Sequence, residues 1–504
     1  HRGTYLELAG DVLGPQPRYA VRLTFATVTM PPKPGDDLET FLKRQDPSTL
    51  VGVLVELAND HEVVQARLAR LQLADRPDKL AAGFRKTLTA WRRSSKFFSY
   101  REAGEFGRTL EAWLDQVDRE LLPKDPAAAL ALFESFIEAD GAFFERADDS
   151  DGCIGDAVRA ACRHWLQAAS QCEAPASEWP GRLVRLVSDD QYGAREELLR
   201  RADLLLDETA LRELVAQFES RMASALAAPA SSDGPPHEVF KISAALSLLA
   251  EALHDPDVKV RAVLSYSPQP NAIQQKAFAE AYLEVDRPTD ALTWLQGPWG
   301  HMEDTRQSLE SDALGRLGRY IDSAPIRQRL FERSISVFDL HRWLEHLPEA
   351  SRHEALERAR QLALGHDDPA TAAMLLLDIG DDEAAEAMLL AEPARIRGDN
   401  YGALVPLAQA LKTHQRLRGE AAIYRALLIA ILTRAYARAY GHAARYWARL
   451  REIAATGVGL LPLESHEDFE AAIRSRHARK TAFWAHVNGK RSDRADEDEH
   501  GSDA

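Results

Sequence analysis

AFAEAYLEVDRPTDALTWL, residues 277–295, has the pattern of two short helices joined by a tight turn. Ala279 and Tyr282 before the turn, and Ala291 and Leu295 after it, combine small and large packing residues at helical spacing. Residues 286–288 interrupt this period, because proline is tolerated in the first turn of a helix and not in its interior. The stretch predicts a helix–turn–helix pair that must bury its apolar face against a neighbour.

The same pattern recurs along the second half of the chain. Further pairs occupy residues 312–330, 372–390 and 404–428, with turns at Gly318 and Gly380 in the first two. Ala291 and Ala324 are 33 residues apart, close to the ~34-residue period of tetratricopeptide repeats. We therefore expect an all-α protein, a right-handed α-solenoid of tetratricopeptide-like helix pairs with an N-terminal helical subdomain, and no sheet after residue 30.

Changes in composition suggest how the chain is divided. We expect an extension outside the core at 1–29, a helical domain at 30–226, a proline-rich linker at 227–237, tetratricopeptide-like repeats at 238–452, a helical cap at 453–491 and a disordered acidic tail at 492–504. Residues 19–29 alternate like a strand and Met30 follows them, so we also expect Met30 to be the natural start.

Size and charge limit the class of protein. The chain has 504 residues and a formal net charge of −16, which does not suit nucleic-acid binding by the protein as a whole. Its three cysteines are too few for a disulfide framework and indicate a reducing, cytoplasmic compartment. The most apolar run, residues 421–432, is interrupted by Arg425 and is shorter than a membrane span, so it predicts a helix buried on all sides.

The acidic stretch at residues 147–156, ADDSDGCIGD, has the composition of a metal loop without the required spacing. With Gly152 at the sixth position of a calcium loop, Ala147 and Val158 would stand where oxygen ligands are needed. The stretch is better interpreted as the start of a helix, with Ser150 as its cap and the aspartates at the positive end of the helix dipole. The set Cys153, Cys162, His164 and Cys172 lacks a zinc knuckle, so we expect no metal and no cofactor.

Four stretches of the chain resemble an uncharacterised bacterial family of all-helical, repeat-like proteins, a domain of unknown function. They are LVGVLVELAND (50–60), FFERADDSDGCIGDAVRAA (143–161), YRALLIAILTRAYARAYGHAARYWARL (424–450) and HEDFEAAIRSRHARKTAFW (466–484). The resemblance spans roughly residues 36–486, supports the helical fold and implies no activity. A similar helical region accompanies zinc-binding SWIM modules in some bacterial proteins, but this chain lacks their Cys-x-Cys element.

Three basic stretches stand out in an acidic chain, at residues 84–101, 421–451 and 473–491. In the second, Arg434, Tyr436, Arg438, Tyr440 and Arg445 are our candidate partner-binding residues, with the three arginines exposed. The alternative is that these aromatics pack in the core while the arginines pair with acidic neighbouring helices.

We expect a non-enzymatic scaffold that binds a protein or peptide partner. The alternatives are a nucleic-acid binder that uses the basic C-terminal helices, and an enzyme with a site between the two halves of the chain. No membrane partner is expected.

Overall fold

The computed structural model describes residues 38, 40–73, 75–173, 175–227 and 235–489. Within these ranges the chain is helical and contains no strand, apart from one isolated bridge between Phe98 and Ala147. The all-α prediction is therefore confirmed for this part of the chain. The predicted extension at 1–29, the start at Met30 and the acidic tail at 492–504 lie outside the described residues.

The described residues divide into two compact units between Leu198 and Leu199. The first unit contains α1 (Pro47–Asp60), α2 (Glu62–Leu71), α3 (Pro77–Arg93), α4 (Tyr100–Gln116), α5 (Pro126–Ile137), α6 (Asp140–Phe144), α7 (Cys153–Ser170) and α8 (Trp179–Ser188). The short helix α9 (Glu197–Arg200) spans the point of division.

The second unit continues with helices that are joined mostly by short turns. They are α10 (Glu208–Ala227), α11 (His237–Leu253), α12 (Pro256–Leu264), α13 (Ala272–Glu284), α14 (Pro288–Trp294), α15 (Glu303–Arg316), α16 (Tyr320–Ser334), α17 (Val337–Glu345), α18 (Glu349–Leu364), α19 (Pro369–Asp378), α20 (Asp382–Ala391), α21 (Tyr401–Thr413), α22 (Leu417–Arg434), α23 (Tyr440–Ala455), α24 (His466–Arg476) and α25 (Thr481–Val487).

Asp-Pro dipeptides begin four of these helices, α1, α5, α12 and α19. Asp46, Asp125, Asp255 and Asp368 each accept a hydrogen bond from a backbone N–H of the first turn, and the proline that follows occupies the first helical position. Aspartate satisfies a backbone donor that the helix leaves free, and proline loses nothing there because its missing N–H would have had no partner.

The first unit packs its apolar side chains around α4, α5 and α7. Leu110, Phe133 and Trp165 are fully buried in this core. A buried ion pair adds to it, since Arg195 donates two hydrogen bonds of 2.8 Å to the carboxylate of Asp140. By contrast, no residue of α1 is buried, and its apolar side chains Val53, Leu54 and Leu57 are exposed.

The helix pairs of the second unit close by a common turn. A residue in the left-handed conformation ends the first helix of five pairs, at His254, Asp286, Gly318, Gly380 and Gln415. In each pair the next backbone N–H donates to the carbonyl five residues earlier, at 2.8–2.9 Å. This is the Schellman closure of a helix C-terminus. Among the first three of these residues, each is 32 residues from the next. The bounds of the helices and the positions of these turns confirm the predicted helix pairs and their turns at 286–288, Gly318 and Gly380.

The most extensive helix contacts in the second unit join helices that are adjacent or next but one along the chain. Helices α10 and α11, which flank the predicted linker at 227–237, pack on each other, and Arg221 pairs with Glu238 at 3.1 Å. Residues 228–234 of that linker lie outside the described part of the chain.

Candidate functional site

The basic stretch at 421–451 forms two helices rather than one continuous helix. Helix α22 ends at Arg434, because Ala435 adopts the left-handed conformation (φ 55°), and a 3₁₀ turn at Ala437–Ala439 leads into α23. Arg434, Arg438 and Arg445 are exposed, as expected from the sequence.

The two candidate tyrosines have different environments. Tyr436 is 51% exposed between the helices. Tyr440 is 5% exposed, and its ring makes an edge-to-face contact with Phe483 at a centroid distance of 6.0 Å. Tyr440 therefore belongs to the core and is not available to a partner, which corrects its assignment as a binding residue.

Acidic side chains neutralise part of this basic stretch. Arg434 pairs with Asp399 at 3.0 Å, and Arg449 donates two hydrogen bonds to the fully buried carboxylate of Glu420, at 2.7 and 3.0 Å. The hydrogen bonds that Arg449 donates to Glu420 raise the pKa of Arg449. The alternative interpretation of the sequence therefore describes Arg449 and Tyr440 correctly.

A cleft of about 670 Å³ opens beside Arg434. One wall is the loop at 393–399, a second is the face of α22 that carries Ala426 and Ile429, and the third is the segment at 462–469. Helix α22 is therefore open on one face, whereas the sequence predicted a helix buried on all sides. The apolar lining also includes Ile396, Leu463 and Phe469.

Arg425 lies in the wall of this cleft and is only 6% exposed. Its guanidinium donates to the backbone carbonyls of Glu464 (3.0 Å) and Ser465 (3.4 Å) and lies 4.4 Å from the centroid of the Phe469 ring. No carboxylate of the described residues forms an ion pair with it, and its Nε has no acceptor. Burial lowers the pKa of Arg425, which reflects the cost of holding a cation away from water. The cleft thus combines apolar walls with a cation that lacks a carboxylate partner.

Gly398 brings the loop wall close to α22. A Cβ atom at this position would lie 2.1 Å from the carbonyl oxygen of Ala426, so only glycine allows this approach. Neither Gly398 nor the role of Arg425 was predicted from the sequence. The interruption of an apolar run by Arg425 was the one signal that could have indicated it.

The acidic stretch of the first unit is a helix start, as the sequence analysis concluded, but with a different capping residue. Asp149 accepts hydrogen bonds from the backbone N–H groups of Ile154 (2.8 Å) and Gly155 (3.0 Å) at the first turn of α7. Ser150 instead donates its hydroxyl to Asp148, so the prediction of Ser150 as the cap was wrong. Within the described ranges, no group of three or more His, Cys, Asp and Glu side chains could hold a metal ion.

A serine–histidine contact among the described residues resembles part of a catalytic dyad. Ser323 Oγ and His346 Nδ1 are 2.8 Å apart, and burial lowers the pKa of the imidazole. Ser323 is fully buried, so its hydroxyl cannot reach a substrate, and the contact serves packing rather than nucleophilic catalysis.

Helices of the described ranges are all too short or too polar to cross a bilayer.

Comparison with known protein families identifies the family of this chain. Residues 40–486 match the model of a family of unknown function, DUF6880. This confirms the predicted membership of a domain-of-unknown-function family. No curated protein and no solved structure matches the chain.

Proposed function

This chain belongs to the DUF6880 family of unknown function, and we propose that it is a non-enzymatic helical-repeat scaffold that binds a protein partner in the cleft beside Arg434. The observation that carries the proposal is Arg425, a buried cation without a carboxylate partner in an apolar-walled cleft. A carboxylate of a bound peptide would supply the missing charge, and apolar peptide side chains would cover Ile396 and Ile429.

The helix pairs support the architecture that we propose for the scaffold. Their common turn, and the 32-residue intervals between the first three turns, suit stacked tetratricopeptide-like units. In our proposal each pair packs on its neighbours, and the stack becomes a right-handed α-solenoid. Such a stack presents a long surface that suits extended peptides. All three cysteines of the chain are free, which supports a cytoplasmic location. We propose this location for a protein of a bacterial family.

The chemistry of the cleft defines the partner. Arg434 stands at its rim beside Thr433, and the exposed Arg438 and Tyr436 follow in the chain. Arginine and tyrosine are common anchors of protein interfaces, since they combine large contact areas with hydrogen bonding. The partner is therefore an extended segment of a protein that carries at least one acidic and one apolar side chain. The ion pairs of Arg434 and Arg449 leave less free charge here for nucleic acid.

The proposal is tested by selecting binders from a random peptide display library on the full chain and measuring their affinities by calorimetry. We expect acidic peptides with apolar residues, and at least tenfold weaker binding after Ala430→Phe, which places a large ring in the cleft. The double substitution Arg434→Glu and Arg438→Glu should abolish binding and leave the circular dichroism melt within a few degrees, because both side chains are exposed.

The matched control is Arg476→Glu with Arg479→Glu, two exposed arginines that do not line the cleft. This control should bind the selected peptides as the wild type does. The proposal fails if the library yields no binder, or if the binders tolerate both Ala430→Phe and the reversal of Arg434 and Arg438.

A further inference from the structure

One face of α3, in the first unit, carries a cluster of exposed cations. Arg85, Lys86, Arg92 and Arg93 are all exposed, whereas the opposite face of the helix is buried through Phe84 and its neighbours. At 100° per residue, the four basic residues fall within about one third of the helix circumference. This basic face of α3 is a continuous positive surface on a chain with a net charge of −16.

The basic face of α3 lacks the acidic partners that most other arginines of the described residues possess. Arg85, Lys86, Arg92 and Arg93 form no ion pair and no hydrogen bond with a carboxylate in the described part of the chain. Arg92 and Arg93 lie in the last turn of α3, where positive charge favours the helix dipole. Arg85 and Lys86 lie about two turns earlier and have no such role.

The size of the basic face matches a short piece of a nucleic-acid strand. Arg85, Lys86 and Arg93 border a shallow open space on this face of α3 together with Thr89. Arg85 and Arg93 are eight positions apart in the helix, which is a rise of about 12 Å at 1.5 Å per residue. At ~3.4 Å per stacked nucleotide, this length accommodates about three to four phosphates of a single strand.

Exposed aromatic side chains follow the basic face. Phe97, four residues after the end of α3, is 60% exposed, and Tyr100 at the start of α4 is 52% exposed. Nearby acidic groups are already engaged, since Glu102 pairs with Lys96 at 3.4 Å and Asp151 accepts the Tyr100 hydroxyl at 2.9 Å. An acidic protein segment would bind through the cations alone. The bases of a single-stranded nucleic acid also stack on exposed aromatic side chains, so Phe97 and Tyr100 favour a nucleic acid as the partner.

We propose that α3 and the loop that follows it bind a single-stranded nucleic acid. The phosphates lie along Arg85, Lys86 and Arg93, and a base stacks on Phe97. This site is in the first unit, and it is independent of the peptide cleft in the second.

The test uses the full chain and two fluorescein-labelled 12-mers, oligouridine RNA and oligothymidine DNA, with fluorescence anisotropy between 50 and 300 mM NaCl. The triple variant Arg85→Gln, Lys86→Gln and Arg93→Gln should weaken binding at least tenfold at 50 mM NaCl. It should also reduce the slope of log K against log salt by about 2, since each phosphate contact to a single strand contributes ~0.7. Phe97→Ala should weaken binding about tenfold, which is the loss of one base stack.

The matched control removes three exposed arginines from the C-terminal part of the chain, as Arg451→Gln, Arg476→Gln and Arg479→Gln; the first two lie in helices and the third in the turn before α25. This control should bind both oligonucleotides as the wild type does. A preference for RNA would indicate a contact to the 2′-hydroxyl, and equal binding would indicate that phosphates and stacking suffice; both outcomes support the site.

Three results would overturn the proposal. The first is the absence of binding at 50 mM NaCl. The second is an equal loss in the triple variant and its control. The third is a polyglutamate 12-mer that competes as well as the oligonucleotides while Phe97→Ala has no effect, which would assign the surface to acidic protein segments.

Discussion

Arg425 illustrates how a single side chain can join distant parts of the chain. Its guanidinium holds the carbonyls of Glu464 and Ser465, about forty positions away, and stacks on Phe469. These carbonyls immediately precede α24, so the arginine fixes the segment that forms one wall of the cleft. Its partners are backbone atoms and an aromatic ring, so the charge of Arg425 has no carboxylate counterion among the described residues.

Gly398 permits the opposite wall to approach α22, and its substitution is the most direct test of the cleft geometry. Gly398→Ala places a Cβ atom 2.1 Å from the Ala426 carbonyl oxygen, a backbone atom that cannot rotate away. We expect the free energy of unfolding to fall by about 1–3 kcal/mol, as for other overpacked sites, when it is measured by urea denaturation.

Gly402 provides the control for this prediction. It lies inside α21, and a Cβ atom added there meets nothing within 4 Å. Gly402→Ala should therefore leave the protein unchanged or stabilise it by about 0.5–1 kcal/mol, since alanine favours the helix. Equal destabilisation by both substitutions would show that the loop at 393–399 does not contact α22 as described.

Two buried histidines predict a pH dependence of stability. Burial lowers the pKa of His346 and of His477, and neighbouring cations (Arg327 and Arg342 for the first, Lys480 and Arg476 for the second) lower it further. In the unfolded chain these imidazoles titrate near 6.5. The folded state therefore binds fewer protons than the unfolded state below about pH 6.5. The contribution of the two neutral histidines to the free energy of unfolding is fully present above this pH and is lost as the pH decreases.

We expect the urea midpoint to decrease between pH 7.5 and pH 5.5, and His346→Gln to flatten this dependence. The exposed His301 is the control residue, because His301→Gln should keep the slope of the wild type. Burial also lowers the pKa of the partly buried His466, so a slope that survives the loss of His346, His466 and His477 together would refute this assignment.

At the scale of helices and turns, the sequence predicts the end of a helix correctly where a residue has a special backbone preference. Gly318, Gly380 and the Asp-Arg-Pro segment at 286–288 were predicted as turns, because glycine adopts positive φ easily and proline begins a helix. The break at Ala435 was missed, since alanine favours helices and gives no signal of a left-handed conformation. Tyr440 and the ion pairs of Arg449 were equally hidden, because their partners come from other helices.

The common turn of the helix pairs leads to a prediction about stability. Gln415 occupies the position that glycine fills in the turn at Gly380, although a left-handed conformation costs about 1–2 kcal/mol for a residue with a Cβ atom. We expect Gln415→Gly to stabilise the protein by up to about 1 kcal/mol and Gly380→Ala to destabilise it by about 1 kcal/mol, measured by urea denaturation.

The exposed Gln409 in the interior of α21 is the control, since glycine there should cost about 1 kcal/mol. If Gln415→Gly destabilises the protein as much as Gln409→Gly does, the turn at Gln415 does not have the left-handed geometry.

At the scale of the whole molecule, charge is distributed unevenly. The chain carries 78 acidic and 62 basic residues, yet α3 has a basic face, and the exposed Arg438 follows the cleft in the chain. The acidic side chains that would neutralise the α3 face are not supplied by the described residues. Residues 492–504, outside this part of the chain, contain six acidic residues and one basic residue. From its charge, we expect this tail to compete with anionic partners.

Removal of residues 492–504 should strengthen binding of the 12-mer oligonucleotides and of the acidic peptides at low salt. The deletion changes the formal net charge from −16 to −11 and removes the densest anionic run of the chain. At 50 mM NaCl we expect a severalfold increase in affinity, measured by fluorescence anisotropy. The increase should disappear at 1 M NaCl, where the Debye length is only about 3 Å.

A tail of unchanged length, with each Asp replaced by Asn and each Glu by Gln, should behave like the deletion. If this neutral tail still weakens binding, the competition is steric, and if the deletion has no effect at 50 mM NaCl, the tail does not reach either positive surface.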